Sequence, residues 1–166
     1  MKNSKALYLT QAALVAAMYF VLTWLSNFVG LASGAVQLRL GEALCVLPFF
    51  MPAAVPGLFV GCIISNLTMG SVIFDTVFGS LATLVGAFVA GKAKNKWLVP
   101  LPTVLANTVV VPLVILFCYT EVRSLGVYLT ITAGVFAGEV LSAYALGMVL
   151  LLALDKHKEI FQQKKR

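Results

Sequence analysis

The stretch GEALCVLPFFMPAAVPGLFVGCIISNL, residues 41–67, is apolar along most of its 27 residues yet carries prolines at 48, 52 and 56. About 20 apolar residues carry a helix across the hydrocarbon core of a bilayer. The stretch is therefore either one kinked crossing or two short ones that meet near residues 50–56. Proline removes a backbone donor and drives the preceding residue out of the helical region, which favours a turn there.

The flanking sequence decides between the two. Four further runs are long and apolar, at residues 7–29, 72–90, 98–119 and 127–154. Two crossings within 41–67 give six spans, with both termini and the Lys92–Lys94–Lys96 loop on one side. That side then holds ten of the twelve basic residues, and only Arg39 and Arg123 lie opposite. A single crossing gives five spans and splits the basic residues three inside against nine outside. Basic residues favour cytoplasmic loops, so the expected architecture is an all-α, six-span membrane domain over 1–166 with both termini cytoplasmic. Its spans fall near 7–29, 38–51, 54–69, 72–91, 98–119 and 126–154, followed by a basic cytoplasmic tail at 155–166. Short membrane segments interrupted by proline lie near binding sites in transporters.

Composition agrees and excludes other classes. The 166 residues are 61% hydrophobic and only 11% charged, less than half the charge of a soluble domain. The net charge of +6 comes from lysines outside the apolar runs, which is a mark of topology and not of a nucleic-acid groove. Residues 7–29 exceed the 7–15-residue core of a signal peptide and are expected to be the first membrane helix. Cys45, Cys62 and Cys118 stand singly, with no spacing that suggests a metal site or a disulfide. No GxxxxGK[ST], HExxH or GxSxG pattern occurs, so no catalytic role is expected, and ATP hydrolysis would belong to partners. Six helices are also few for a self-sufficient transporter with two symmetric halves.

Polar residues inside spans mark candidate sites, because charge is expensive in hydrocarbon. Glu139 falls near mid-membrane and shares a helical face with Tyr128, Thr132 and Ser142. It either lines a substrate cavity or makes an internal helix–helix hydrogen bond. Asp75, on a face with Gly79, Ala82 and Gly86, either caps a helix or meets a cationic substrate at an outer mouth. Arg39 and Glu42, three apart, either pair on one helix face or close the outer end of a pocket. Asn66 and Asn107 can each donate and accept, which suits a base edge and equally suits a neighbouring backbone carbonyl. Glu121 and Arg123 are expected in an outer loop, and Trp24, Tyr119 and Tyr128 in an aromatic belt. Ala12, Ala13, Ala16 and Ala17 form two overlapping AxxxA pairs that let another helix approach, either within this chain or on a partner.

The runs VQLRLGEALCVLPFF (36–50), AVPGLFVGCIISNL (54–67) and FDTVFGSLATL (74–84), with LTQAALVAAMYFVLT (9–23), resemble the QueT family. These are substrate-binding S components of energy-coupling factor transporters. The resemblance spans most of the chain and implies capture of a queuosine precursor such as 7-aminomethyl-7-deazaguanine in a bacterial plasma membrane. It implies two kinds of partner: a membrane coupling (EcfT-like) subunit docked on the alanine motif of the first helix, and two ABC-type ATPases that use ATP. It also brings Asp75, Asn107 and Glu139 to the pocket. The residues themselves leave open a stand-alone ion-coupled carrier, with Glu139 as its proton site, and a different vitamin or nucleobase-like substrate.

Overall fold

The structure is a computed structural model that describes residues 2–31 and 36–157, with side chains from residue 5 onward. Its described residues are helical apart from short turns and one short connecting strand outside any β-sheet, residues 36–39, which ends on an extended Arg39. Helix α1 runs Lys2–Phe28, a 3₁₀ helix follows at Leu40–Phe49, then α2 Ala54–Thr68, α3 Ile73–Ala90 and α4 Leu101–Cys118. The last crossing is one continuous helix in three parts, α5 Leu125–Glu139, a π-helical stretch Val140–Leu146 and α6 Gly147–Asp155. Four segments are long and apolar enough to cross a membrane: Lys5–Phe28, Ile73–Ala90, Lys96–Cys118 and Leu125–Asp155. Leu40–Phe49 and Ala54–Thr68 are shorter apolar helices.

The proline-rich stretch is divided in two. The 3₁₀ helix contains Pro48, and the chain turns at Met51 to Ala53 before α2 takes Pro56 into its first turn, where the missing N–H has no partner to lose. At about 2.0 Å per residue, ten 3₁₀ residues reach about 20 Å, against about 15 Å for an α-helix. The tighter winding lets a short segment extend further.

Glycine ends two helices by the same device. Gly70 takes φ 72° after α2, with Ser71 N–H bonded to Asn66 C=O at 3.0 Å and Gly70 N–H to Leu67 C=O at 3.3 Å. Gly30, at φ 76°, ends α1 in the same way, with Leu31 N–H on Ser26 C=O at 2.9 Å. Such left-handed caps satisfy the last carbonyls of a helix.

Contacts fix the relative directions. A Cβ on Gly57 would stand 2.6 Å from the Ala12 carbonyl, and one on Gly61 2.8 Å from that of Ala16, so α1 and α2 run parallel with backbones nearly touching. The 3₁₀ helix runs antiparallel to α1, tied by Leu40 N–H to Ser26 Oγ at 2.8 Å and by Gly41 seated on Thr23. Helices α3 and α4 are antiparallel: Gly86 meets Thr103 at one end, and Tyr119 reaches Val72 N–H at the other. Lys96 Nζ lies 3.5 Å from Asp155 Oδ2, so the lysine loop and the end of α6 share one end of the bundle. Of the tail, residues 158–166 lie outside the described residues.

The core is built from small and branched side chains at these crossings. Val15 and Tyr19 of α1, Leu44, Cys45 and Leu47 of the 3₁₀ helix, Leu58 and Cys62 of α2 and Ala87 of α3 form one cluster. A second joins Val46, Ala90, Val99, Met148 and Leu151 near the lysine end. The outward faces stay apolar, as a surface in contact with lipid requires.

Candidate functional site

Four elements and one connecting strand converge on a polar chamber at the end of the bundle opposite the lysines. Gln37, Arg39 and Glu42 come from the strand and the start of the 3₁₀ helix, Gly79 and Thr83 from α3, Asn107 and Val111 from α4, and Val135 and Glu139 from α5. The space encloses about 320 Å³ counted to its open mouth, with room for the centre of a water-sized group over about 10 Å³. That is room for about one water molecule.

Each acid is held differently. Glu42 is 1% exposed and both its oxygens are occupied: the Tyr19 hydroxyl donates to Oε1, and the Cys45 thiol to Oε2 at 3.2 Å. Glu139, 6% exposed, accepts from Asn107 Nδ2 at 3.0 Å on Oε1. Its Oε2 and the Oδ1 of Asn107 are buried with no partner. With Nδ2 donating to Oε1, the amide oxygen of Asn107 is left as an acceptor. Two acceptors with nothing to accept thus stand side by side in the chamber, and buried polar groups left so are uncommon. A ligand rich in N–H donors would satisfy both.

Asp75 lies in the first turn of α3 and is buried, with its Oδ2 accepting from Tyr119 Oη at 3.4 Å. It does not occupy the N-cap, which is Val72. Its Oδ1 is 3.5 Å from where a Cβ on Gly79 would stand, so Asp75 faces the bare side of Gly79 at the edge of the chamber. Asn66 Oδ1 accepts from Arg39 Nη1 at 3.3 Å and its Nδ2 donates weakly to Cys62 Sγ at 3.7 Å, so it acts as a post for the guanidinium. Arg39 and Glu42 make no ion pair, the one ion pair among the described residues being Lys96–Asp155. Arg39 is turned toward Asn66 and is the one cation in the chamber lining.

Thr132 is not part of the lining. It shares the Glu139 face but stands seven residues nearer the start of α5, and its hydroxyl donates to Tyr128 C=O at 2.8 Å. The alanine stripe divides. Ala16 is buried, with Ala12 half-buried, against Gly61 and Gly57, so this pair packs α1 within the chain, whereas Ala13 and Ala17 face outward. Glu121 and Arg123 are exposed.

Several site residues escaped sequence reasoning. Gln37 and Thr83 carry no pattern, and Val111 and Val135 look like any lipid-facing valine. Tyr19, which holds Glu42, could have been found by the rule that singled out Glu139, as a polar group deep in an apolar span. Gly138 is the least visible: a Cβ there would stand 2.0 Å from the Gln37 carbonyl oxygen, so the strand that carries Gln37 and Arg39 rests directly on α5 beside Glu139.

Apolar helices around a small buried polar chamber define a multi-pass membrane protein. Residues 9–156 match the family model described as QueT transporter, and the chain belongs to that family. It is similar to a protein of Lactococcus lactis subsp. cremoris (strain MG1363) named Queuosine precursor transporter QueT, with 34% identity over 85 residues. That match covers 51% of this chain, which spans about half the length (50%) of this curated relative. No solved structure matches.

Proposed function

We propose that this chain is the substrate-capture subunit of an energy-coupling factor uptake transporter for a queuosine precursor, with 7-aminomethyl-7-deazaguanine as its ligand. The observation that carries this is the pair of buried acceptors without partners, Glu139 Oε2 and Asn107 Oδ1, beside two further acids. The ligand offers what they lack: an ammonium, a ring edge with adjacent N–H donors, and a flat face. Charge-assisted hydrogen bonds of this kind are the strong ones. The ammonium is about the size of the water-sized space at Glu139, and the ring lies along the bare backbone of Gly79 between Val111 and Val135. Asp75, across Gly79, is the acid available for the N–H edge. Gln37, half-buried, moves aside to admit the ring, while Arg39 stays on Asn66 and faces the ligand.

In the same proposal the six helical segments all cross a bacterial plasma membrane, and both termini and the lysine loop are cytoplasmic, so that the chamber opens outward. The basic residues support this orientation. Ala13 and Ala17 face outward on α1 and are available to an EcfT-like coupling subunit, which in turn binds two ATPases. The partnership is supported by the family resemblance and by the lack of a phosphate-binding loop motif in this sequence.

The test is titration of the purified protein, alone in detergent, with 7-aminomethyl-7-deazaguanine, using guanine and riboflavin as controls. Tight binding of the deazaguanine alone is expected. No binding by a monodisperse preparation refutes the substrate. Uptake into proteoliposomes driven by a pH gradient, with no ATPase present, refutes the partnership.

A further inference from the structure

The chamber holds more acid than base. Glu42 of the 3₁₀ helix and Glu139 of α5 both line it, and Arg39 is the cation among its lining residues. The other groups facing this pair are Tyr19 of α1 and Cys45, which donate to Glu42, and Cys62 of α2, which receives weak hydrogen bonds from Asn66 and Thr83. Asp75 of α3 acts on Arg39 from the rim, and α4 contributes the neutral Asn107. The described lysines and His157 belong to the opposite end of the bundle. With Arg39 shared between Asp75 and one carboxylate of the pair, the pair leaves at least one uncompensated negative charge where there is room for about one water. Such a charge does not stay bare in a medium of low polarity.

We propose that the ligand-free chamber balances this charge with a proton on Glu139 Oε2, and that the ammonium of the ligand displaces that proton on binding. Capture is then an exchange of one cation for another. The protonated carboxyl gives up its proton to solvent, and the carboxylate that remains accepts from the incoming ammonium. The hydrogen bonds say which acid carries the proton. Both oxygens of Glu42 already accept from the protein, whereas Glu139 Oε2 has no partner and is the free position. This inference rests on the proposed capture of an aminomethyl-deazaguanine.

The test is calorimetric titration in two buffers of different ionisation enthalpy, repeated between about pH 5.5 and 8. The ligands are 7-aminomethyl-7-deazaguanine and the neutral 7-cyano-7-deazaguanine. About one proton released per amine bound is expected, with affinity falling about tenfold for each pH unit lowered where Glu139 is protonated. The nitrile is expected to release none and to show no pH slope. Glu139→Gln is expected to remove proton release and pH slope from whatever affinity for the amine remains. Tight binding of the amine without proton release overturns the exchange and leaves the proposed function standing. Equal release with amine and nitrile also overturns it, because displacement would then not depend on ligand charge. Failure of both ligands to bind overturns both proposals.

Discussion

Gly138→Ala tests whether the strand of residues 36–39 is part of the binding machinery. A methyl group at this position would stand 2.0 Å from the Gln37 carbonyl oxygen and 2.6 Å from its carbonyl carbon. Both are backbone atoms, so no rotamer change relieves the clash. To reach an ordinary contact of 3.4 Å the strand must retreat by about 1.4 Å. Overpacking of this kind costs about 1–3 kcal/mol, and alanine returns about 1 kcal/mol through its higher helix propensity. Global stability therefore falls by only about 0–2 kcal/mol. Binding is affected more, because Arg39 sits two residues from the displaced carbonyl and its bond to Asn66, already 3.3 Å long, is lost. A hydrogen bond involving a charged group contributes about 1.5–3 kcal/mol, which converts to roughly a tenfold to hundredfold loss of affinity. The assay pairs a thermal melt in detergent with ligand titration of the same sample. Wild-type affinity in Gly138→Ala would refute the role of the strand. A collapse of the melt with binding gone would show instead that Gly138 serves packing alone.

Gly79→Ala should behave differently: its Cβ would stand 3.5 Å from both Asn66 Nδ2 and Asp75 Oδ1, an ordinary contact, so the melt holds while affinity falls as the methyl enters the ring site. Tyr19→Phe removes a buried donor from Glu42 and should destabilise by about 1–3 kcal/mol in denaturant unfolding; an unchanged midpoint would mean that Glu42 finds another donor. Gly61→Leu sets a side chain against the Ala16 backbone at 2.8 Å and should part α1 from α2, read as loss of the monodisperse peak in size-exclusion chromatography. Lys96→Gln breaks an ion pair whose side chains are 41% and 34% exposed, and should shift the unfolding free energy by less than about 1 kcal/mol.

How much of this was legible follows from what each feature depends on. Pro48, Pro52 and Pro56 act on their own backbone, so the division of residues 41–67 could be read locally. Glu42, Asn107 and Glu139 are visible because polarity within apolar runs is costly wherever it occurs. Gly138 and Gly79 depend on what lies opposite them, and nothing in their own neighbourhood in sequence says that Gln37 or a cleft is there. Thr132 shows the limit of face arithmetic: it lies on the Glu139 face, but seven residues along a helix is about 10 Å, and the chamber does not extend that far. The AxxxA stripe shows the same limit. Its two overlapping pairs differ by one residue, or about 100° around the helix, so one pair packs on α2 while the other faces outward.

The chamber also sits where regular α-helix gives way. Glu139 is the last residue before the π-helical stretch Val140–Leu146, and Glu42 is the third residue of the 3₁₀ helix that packs against that stretch. A π turn widens a helix and a 3₁₀ turn narrows one, so the two together shift side chains away from their α register where they meet. Gly147 completes the fit, since a Cβ there would stand 3.1 Å from the Val46 side chain and 3.4 Å from the Ala43 carbonyl. Two acids that would repel across an ordinary helix pair are thereby held in one small space, each by its own neutral donors. Such an arrangement is costly to maintain empty and favourable to fill with a cation, and the proposed exchange of a proton for a ligand ammonium would draw on that asymmetry.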